Sequence, residues 1–165
     1  YAFQSPNHPG LGVLGVDTRF EKGLTPRGKF QLLDAIDPRV FLLRVFPGLD
    51  PQNPLKLLPH VHGLVLEAYG AGTFPSNEEL GRSLSPVFAE ARRLKIPVLV
   101  VSQAPRNGVD LSMYESGDAA RRTGAISGGD MTVSAAVVKL MHGLAFHRGN
   151  ALREHLERSV AGERA

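Results

Sequence analysis

Short apolar runs alternate along this chain with longer segments in which apolar residues recur every three or four positions. Such runs are typical of strands in a parallel sheet, because those strands are buried on both faces and carry few polar side chains. The runs predict strands at residues 30–35, 40–46, 63–69, 96–102 and 125–126, and a further short strand at 13–20. Pro97 lies at the start of its strand, where it disturbs the hydrogen-bond ladder least.

The segments with helical spacing lie between and after these strands. They predict helices at 53–58, 76–94 and 114–123, one from Asp130 or Thr132 to about Phe146, and a polar one at 150–160. Ser76 and Glu79 form a capping-box pattern at the start of the second helix. Pro86 falls inside that helix and should kink or divide it, since proline removes a backbone hydrogen bond.

Strands and helices that alternate without repeats predict an α/β domain with a small, mostly parallel sheet and helices on both faces. Right-handed crossovers are the expected connections. Residues 1–27 hold many of the proline and glycine residues and show little periodicity, so we expect a linker there and the α/β domain at 28–165. The chain starts without a methionine, and we expect it to be a piece of a longer polypeptide.

Composition narrows the classes of function. The chain has no cysteine, which excludes disulfides, thiolate metal sites and cysteine nucleophiles. Its net charge of +3 comes from scattered basic residues, with short pairs only at Arg92-Arg93 and Arg121-Arg122. We therefore expect solvated helix faces and no nucleic-acid surface. No apolar run approaches the roughly 18 residues of a membrane span, so we expect no membrane partner.

Three loops that contain glycine each follow a predicted strand, at residues 69–76 (the first loop), 102–110 (the second) and 127–131 (the third). In open α/β folds, ligands bind beyond the carboxyl ends of the strands. Glycines let the backbone approach a ligand closely, and N–H groups at the following helices favour anions. In a second, equally open interpretation, Gly70 and Gly72 only form tight turns. A dinucleotide site is disfavoured, because Phe74, Pro75 and Ser76 follow where a third glycine should come.

Two residues outside these loops are placed to reach the same edge. Tyr114 and Glu115 follow the second loop closely, although a packing role is slightly favoured for Tyr114. Asp118, with Arg121 or Arg122, is most simply a surface ion pair on a helix.

The histidines give only weak signals of chemistry. His60 and His62 point to one side if their segment is extended, but no third metal ligand is evident nearby. His142 and His147 are five positions apart, which is a poor helical pairing. No nucleophile elbow and no phosphate-binding loop occurs in the sequence. We therefore predict no metal site and no cofactor.

Several short motifs follow one another in an order typical of one enzyme family. They occupy residues 2–9, 45–48, 64–72, 100–103, 108–111 and 124–140, with Ile126-Ser127-Gly128-Gly129-Asp130-Met131-Thr132 inside the last. In order and spacing they resemble the carboxy-terminal domain of a bacterial cytoplasmic-type (type I) L-asparaginase, of the asparaginase/glutaminase family. The resemblance covers nearly the whole chain and implies a Rossmann-like α/β domain.

The resemblance implies that the parent protein is an amidohydrolase that converts L-asparagine to L-aspartate and ammonia. In this family the threonine nucleophile, and a second threonine beside an aspartate and a lysine, belong to the amino-terminal domain. Acyl transfer by threonine needs such a partner and an oxyanion site. Neither motif surrounds a threonine of this chain. We therefore expect no catalytic residue here, a catalytic amino-terminal domain outside this chain, and no activity from the chain alone.

The resemblance also implies a place and partners for the domain. Family loops similar to the first loop and to the Tyr114 segment lie beside the active site of a neighbouring subunit. The expected residues near substrate are therefore Gly72, Thr73, Tyr114 and Glu115. The expected partners are the amino-terminal domain of the same polypeptide, further copies in a dimer or tetramer, and L-asparagine, in the cytoplasm.

The chain departs from the family pattern at two places. Thr73 stands where asparagine is usual, and a hydroxyl lacks the combined donor and acceptor reach of an amide, which weakens the expectation of strict asparagine preference. Members with an allosteric asparagine site have an arginine and a cysteine where this chain has Glu67 and Ala104. An arginine would bind the effector carboxylate and a glutamate repels it, so we expect no such site.

Two other interpretations of the sequence stay open. One is the carboxy-terminal domain of the amidase subunit of a tRNA-dependent amidotransferase, which shares this domain. The other is a non-catalytic α/β binding module.

Overall fold

The computed structural model describes residues 10, 12–20, 29, 31–79, 81–106 and 108–164. In the first of these segments, β1 (Gly12–Val13) and β2 (Arg19–Phe20) pair antiparallel as a hairpin. All residues from 12 to 20 are exposed. The prediction of one strand at 13–20 is wrong, because the chain turns back around Gly15 and Asp17, residue types that favour turns.

The central sheet has four strands in the spatial order β3 (Val40–Arg44), β4 (Gly63–Ala68), β5 (Val98–Ser102) and β6 (Ile126–Ser127). All neighbouring pairs are parallel. β4 is buried along its whole length, and β5 is buried except at Ser102, as their apolar runs predicted. The carboxyl ends of all four strands therefore lie at one edge of the sheet, called the carboxyl edge below, opposite the amino edge.

Among the described residues, five α-helices cover the sheet: α1 (Gln52–Leu57, followed by a 3₁₀ turn at Leu58–His60), α2 (Ser85–Arg93), α3 (Glu115–Arg122), α4 (Val133–Phe146) and α5 (Gly149–Glu157). One face carries the first three helices, where Phe88 joins a core with Leu66 and Val100. The other carries α4 and α5, where Leu140 joins a second core with Val65. The predicted α/β fold with helices on both faces is confirmed.

The helix predicted at 76–94 is wrong in its first half. Among the residues of this span that the structure describes, only Ser85–Arg93 is helical. Pro86 lies in the first turn, where its missing N–H costs no hydrogen bond. The residues before it satisfy one another locally instead. Asn77 Oδ1 accepts from the N–H of Glu79 at 2.9 Å, and Ser83 Oγ accepts from the N–H of Ser85 at 3.1 Å. The capping-box pattern at Ser76 therefore starts no helix.

The strand predicted at 30–35 is also wrong over the described residues 31–35; residue 30 lies outside them. Leu32 and Leu33 are 71% and 50% exposed. β3 forms the end of the described sheet and pairs only with β4, so this apolar run has no strand partner. The other predicted elements from residue 40 onward are present with small shifts at their ends. No helix in the described ranges is long and apolar enough to cross a membrane.

Candidate functional site

The three glycine-containing loops meet at the carboxyl edge and are hydrogen-bonded to one another. The N–H of Asp110, in the second loop, donates to Ala71 O of the first loop at 3.0 Å. The N–H of Val109 donates to Gly129 O of the third loop at 2.8 Å. Ser127 Oγ donates to Val109 O at 2.7 Å. The structure thus brings together the loops that the strand-end argument placed at one edge.

The glycines allow this close contact between loops. A Cβ atom on Gly108 would lie 3.0 Å from the carbonyl carbon of Gly129, and one on Gly72 would lie 2.7 Å from Val109 Cγ1. Gly70 and Gly72 also have φ angles of 40° and 105°, which disfavour any other residue. The interpretation that these glycines form tight turns and pack loop against loop is therefore sufficient for them.

Thr73 pairs with Tyr69 across the first loop in an isolated antiparallel β-bridge. Its N–H donates to Tyr69 O at 2.9 Å, and Tyr69 N–H donates back to Thr73 O at 2.9 Å. Its hydroxyl donates to the same Tyr69 carbonyl at 3.4 Å, a long hydrogen bond. Gly72 is buried beside it and Thr73 is half-buried. The backbone is well fixed here, while the hydroxyl keeps the capacity to bind a further group.

The Tyr114 segment lies at the start of α3, which follows the second loop. Tyr114 is the N-cap residue of α3 and is 52% exposed, so the packing role favoured for it is wrong within this chain. Glu115 is exposed and forms no ion pair with any described residue. Gly117 holds the helix close to the preceding turn, because a Cβ atom there would lie 2.7 Å from Leu111 O.

Glu67 and Ala104 lie at the carboxyl ends of β4 and β5. The carboxylate of Glu67 is buried, and its Oε1 atom lies 3.4 Å from Nη1 of Arg44 on β3. The N–H of Ala104 donates to Ser102 Oγ at 2.9 Å. Between them, Gln103 Nε2 donates to Glu67 O at 3.0 Å. The negative charge at position 67 is therefore neutralised from the neighbouring strand.

A buried carboxylate at the amino edge was not found from the sequence. Asp37 receives hydrogen bonds from Arg39, and its Oδ2 atom lies 2.6 Å from His62 Nδ1. The Arg39 bonds hold the pKa of Asp37 far below its ordinary value, against the opposing effect of burial. His62 thus pairs with Asp37 and not with His60. Within the described residues, no group of three or more His, Asp or Glu side chains could hold a metal ion.

The other histidines gather around His155, to which no pattern in the sequence pointed. His142 Nδ1 lies 3.4 Å from His155 Nε2, and the ring centroids of His147 and His155 are 4.8 Å apart. Burial, followed by the positive neighbours His147, His142, Lys139 and Arg158, lowers the pKa of His155 to about 4. This cluster needs α5 to fold back on α4, so spacing within α4 alone gave no signal for it.

Comparison with known proteins relates the chain to one family. Residues 39–155 match the family model described as the glutaminase/asparaginase C-terminal domain. The L-asparaginase of Thermococcus kodakarensis is 38% identical over 165 residues, which cover 98% of this chain and 49% of that protein. Its solved structure superposes with a TM-score of 0.85 over the same shares of the two chains.

Relatives with other names share the same region. The 60 kDa lysophospholipase of Mus musculus is 35% identical over 147 residues, which cover 86% of this chain and 25% of that protein. A glutamyl-tRNA(Gln) amidotransferase subunit of Methanothermobacter thermautotrophicus is 29% identical over 147 residues, 87% of this chain and 32% of that protein. This chain thus spans half or less of the length of the relatives it matches.

Proposed function

The chain belongs to the glutaminase/asparaginase family as its carboxy-terminal domain, and we propose on this premise that it is part of an amidohydrolase. The full-length protein converts L-asparagine to L-aspartate and ammonia. The 38% sequence identity to the Thermococcus kodakarensis L-asparaginase, which extends over 98% of this chain, supports this reaction. In this proposal residues 1–27 link the α/β domain at 28–165 to a catalytic amino-terminal domain.

The carboxyl edge is the part of this domain that serves the reaction. One observation carries this proposal: three loops from different strands are hydrogen-bonded into one surface there. Gly72, Thr73, Tyr114 and Glu115 face the active site of a neighbouring subunit. An exposed glutamate without an ion-pair partner can receive the ammonium group of an amino-acid substrate in a charge-assisted hydrogen bond. The Thr73 hydroxyl can add one further hydrogen bond.

The nucleophile comes from the amino-terminal domain. Within the described residues that follow the sheet's first strand, the threonine hydroxyls serve the backbone. Thr123 Oγ1 donates to Ala120 O at 2.6 Å, and Thr132 Oγ1 accepts from Ala135 N–H at 3.3 Å. A hydroxyl nucleophile needs an activating base instead. These contacts support the proposal that the isolated chain is inactive.

The proposed partners are the amino-terminal domain of the same polypeptide and further copies of the protein, in the cytoplasm. Exposed apolar side chains support contacts with other folded surfaces. Ile36, Phe46 and Met113 are each more than half exposed, at 58%, 52% and 58%. Burying such side chains at an interface is favourable by about 25 cal/mol per Å² of apolar surface.

The test is ammonia release by the full-length polypeptide that carries this chain, compared with residues 1–165 alone. We expect the full-length polypeptide to hydrolyse L-asparagine and the 165-residue chain to release no ammonia. Absence of hydrolysis by the full-length polypeptide would overturn the proposed reaction. Hydrolysis by the isolated chain would overturn the proposed place of the nucleophile.

A second candidate is the amidase subunit of a tRNA-dependent amidotransferase, supported by the 29% identity to the glutamyl-tRNA(Gln) amidotransferase of Methanothermobacter thermautotrophicus. It predicts that the full-length polypeptide releases ammonia only in the presence of a partner protein and aminoacylated tRNA. If the protein is a non-catalytic binding module, it releases no ammonia from L-asparagine or L-glutamine, either with or without a partner protein and aminoacylated tRNA.

We also propose that the full-length enzyme has no allosteric asparagine site of the family type. Glu67 already pairs with Arg44, and a further carboxylate brought to this pair meets the negative charge of Glu67. We expect a hyperbolic dependence of rate on L-asparagine concentration. A sigmoidal curve would contradict the proposal.

A further inference from the structure

The last described residues of the chain, 158–164, return to the sheet beside the third loop. Arg164 Nη1 donates to Ser127 O at 3.3 Å and to Leu156 O at 3.1 Å. The first acceptor begins the third loop, and the second belongs to the last turn of α5. A cation at a helix carboxyl end is also favoured by the helix dipole. One guanidinium therefore ties a helix to the carboxyl edge.

The guanidinium of Arg164 also lies against the backbone of the third loop. A Cβ atom on Gly129 would be 3.1 Å from Arg164 Nη2 and 3.4 Å from its Cζ atom. Gly129 has a φ of 59°, so glycine is favoured there by conformation as well as by space. The guanidinium of Arg164 therefore lies in direct contact with the third loop.

A buried ion pair anchors the segment that carries Arg164. Glu163 pairs with Lys139 of α4, and their side chains are only 15% and 5% exposed. Lys139 Nζ also donates to Arg158 O, while Glu163 accepts from Ala161 N–H at 2.6 Å. Burial raises the pKa of Glu163, but these hydrogen bonds outweigh it and lower the pKa to about 2. Glu163 therefore stays ionised at neutral pH.

The contacts continue from the third loop to the first. Gly129 O accepts from Val109 N–H at 2.8 Å, and the next residue, Asp110, donates its N–H to Ala71 O at 3.0 Å. The first loop, which contains Thr73, follows directly. A displaced third loop would therefore release the second loop and remove support from the first.

We propose that segment 158–164 is a positioning element of the carboxyl edge, with Arg164 as its positioning residue. Arg164 acts through the three loops and does not touch substrate. Its effect on the order of the loops stands on the contacts above, whereas its effect on catalysis rests on the proposed function. The two effects can be measured separately.

Hydrogen exchange of the 165-residue chain tests the effect on the loops. In Arg164→Ala the third loop loses the charge-assisted hydrogen bond to Ser127 O, and its Gly129 O is the acceptor for Val109 N–H. We therefore expect the amides of Val109 and Asp110 to exchange about tenfold faster. Amides of β4 and β5 should be unchanged. The control is Arg92→Ala: Arg92 Nη1 also donates to a backbone carbonyl, Arg122 O at 3.3 Å, but does so between α2 and α3.

Steady-state kinetics of the full-length polypeptide test the effect on substrate binding. We expect Arg164→Ala to raise the KM for L-asparagine about tenfold with a much smaller change in kcat, as misplacement of binding loops predicts. Arg164→Lys keeps the charge and one donor group and should restore part of the loss. Arg92→Ala should match the wild type.

Unchanged exchange in Arg164→Ala would overturn the inference, and so would faster exchange with an unchanged KM. If Arg164→Ala does not fold, Arg164→Gln carries the same test, because it removes the charge and keeps a side chain of intermediate length, and wild-type exchange and KM in that variant would overturn the inference. A full-length wild type that does not hydrolyse L-asparagine would contradict the proposed function, while the exchange experiment would still decide the role of Arg164 in ordering the loops.

Discussion

At the scale of single residues, Gly128 shows why glycine is needed at the carboxyl edge. A Cβ atom there would lie 2.6 Å from Val101 Cγ1 and 2.8 Å from Val100 O, and both residues belong to the buried strand β5. The backbone oxygen cannot move without disturbing the sheet. Gly128 therefore serves packing of the third loop, and no ligand is needed to explain it.

We expect Gly128→Ala to lower the free energy of unfolding by about 1–3 kcal/mol, the usual effect of overpacking a core. Urea denaturation of the 165-residue chain measures this change. Gly15→Ala is the control, because its Cβ would meet only Asp17 O at 3.7 Å, and its effect should stay within about 0.5 kcal/mol. Equal stability of the two variants would contradict this explanation.

His155 predicts a dependence of stability on pH. Its pKa falls from 6.5 to about 4 on folding, so below pH 6.5 the unfolded chain binds a proton that the folded chain does not. Stability is therefore complete above 6.5 and decreases as the pH falls, by about 1 kcal/mol per pH unit. The contribution of Glu163 is lost only below its ordinary pKa of 4.5, so the interval from 6.5 to 4.5 reports on His155.

Urea denaturation between pH 7 and 4.5 checks this prediction. In His155→Leu we expect a smaller slope over that interval, since the buried titrating group is gone. His60→Gln is the matched control, because His60 is exposed and has no partner among the described residues. A slope in His155→Leu equal to that of the wild type would show that another group is responsible.

At the scale of elements, Thr132 caps the helix that follows it, whereas Ser76, which has a capping pattern in the sequence, does not. Thr132 Oγ1 accepts from Ala135 N–H at the start of α4, whereas Ser76 lies well before the start of α2. We expect Thr132→Ala to lower the free energy of unfolding by about 1 kcal/mol, and Ser76→Ala by no more than about 0.5 kcal/mol. Thermal or urea denaturation of both variants checks this, and the reverse order would contradict it.

The sequence predicted well those elements whose apolar pattern follows directly from the burial of their side chains. β4 and β5 are continuous apolar runs because both of their faces are covered, and the meeting of the three loops follows from the parallel order of the strands. The start of α2 was missed because local hydrogen bonds of Asn77 and Ser83 compete with a helix before Pro86. The exposed run at 31–35 lacks a partner strand, which no pattern along the chain can reveal.

The parts of the site that the sequence did not predict depend on contacts between distant segments. The His155 cluster forms only when α5 folds back on α4, and Arg164 reaches Ser127 only after the chain has passed over both helices. Neither arrangement leaves a periodic signal. The packing role favoured for Tyr114 was wrong for a related reason, since the exposure of its side chain depends on where α3 begins.

At the scale of the whole molecule, the domain has two different edges. The carboxyl edge joins three loops by hydrogen bonds, while the amino edge holds Asp37 in ion pairs with Arg39 and His62. The family relation to L-asparaginases concerns about half of the full-length relative. The proposed role of the carboxyl edge is therefore to complete an active site whose nucleophile lies in another domain.

The most direct test is the catalytic efficiency, kcat/KM, of the full-length polypeptide for L-asparagine in Glu115→Gln and in Glu154→Gln. Both glutamates are exposed, but Glu154 lies on α5, and its side chain forms no hydrogen bond or ion pair with the described residues of the three loops. Loss of a charge-assisted hydrogen bond to the substrate ammonium predicts a decrease of about tenfold or more in Glu115→Gln, with wild-type efficiency in Glu154→Gln. Wild-type efficiency in both variants would contradict the claim.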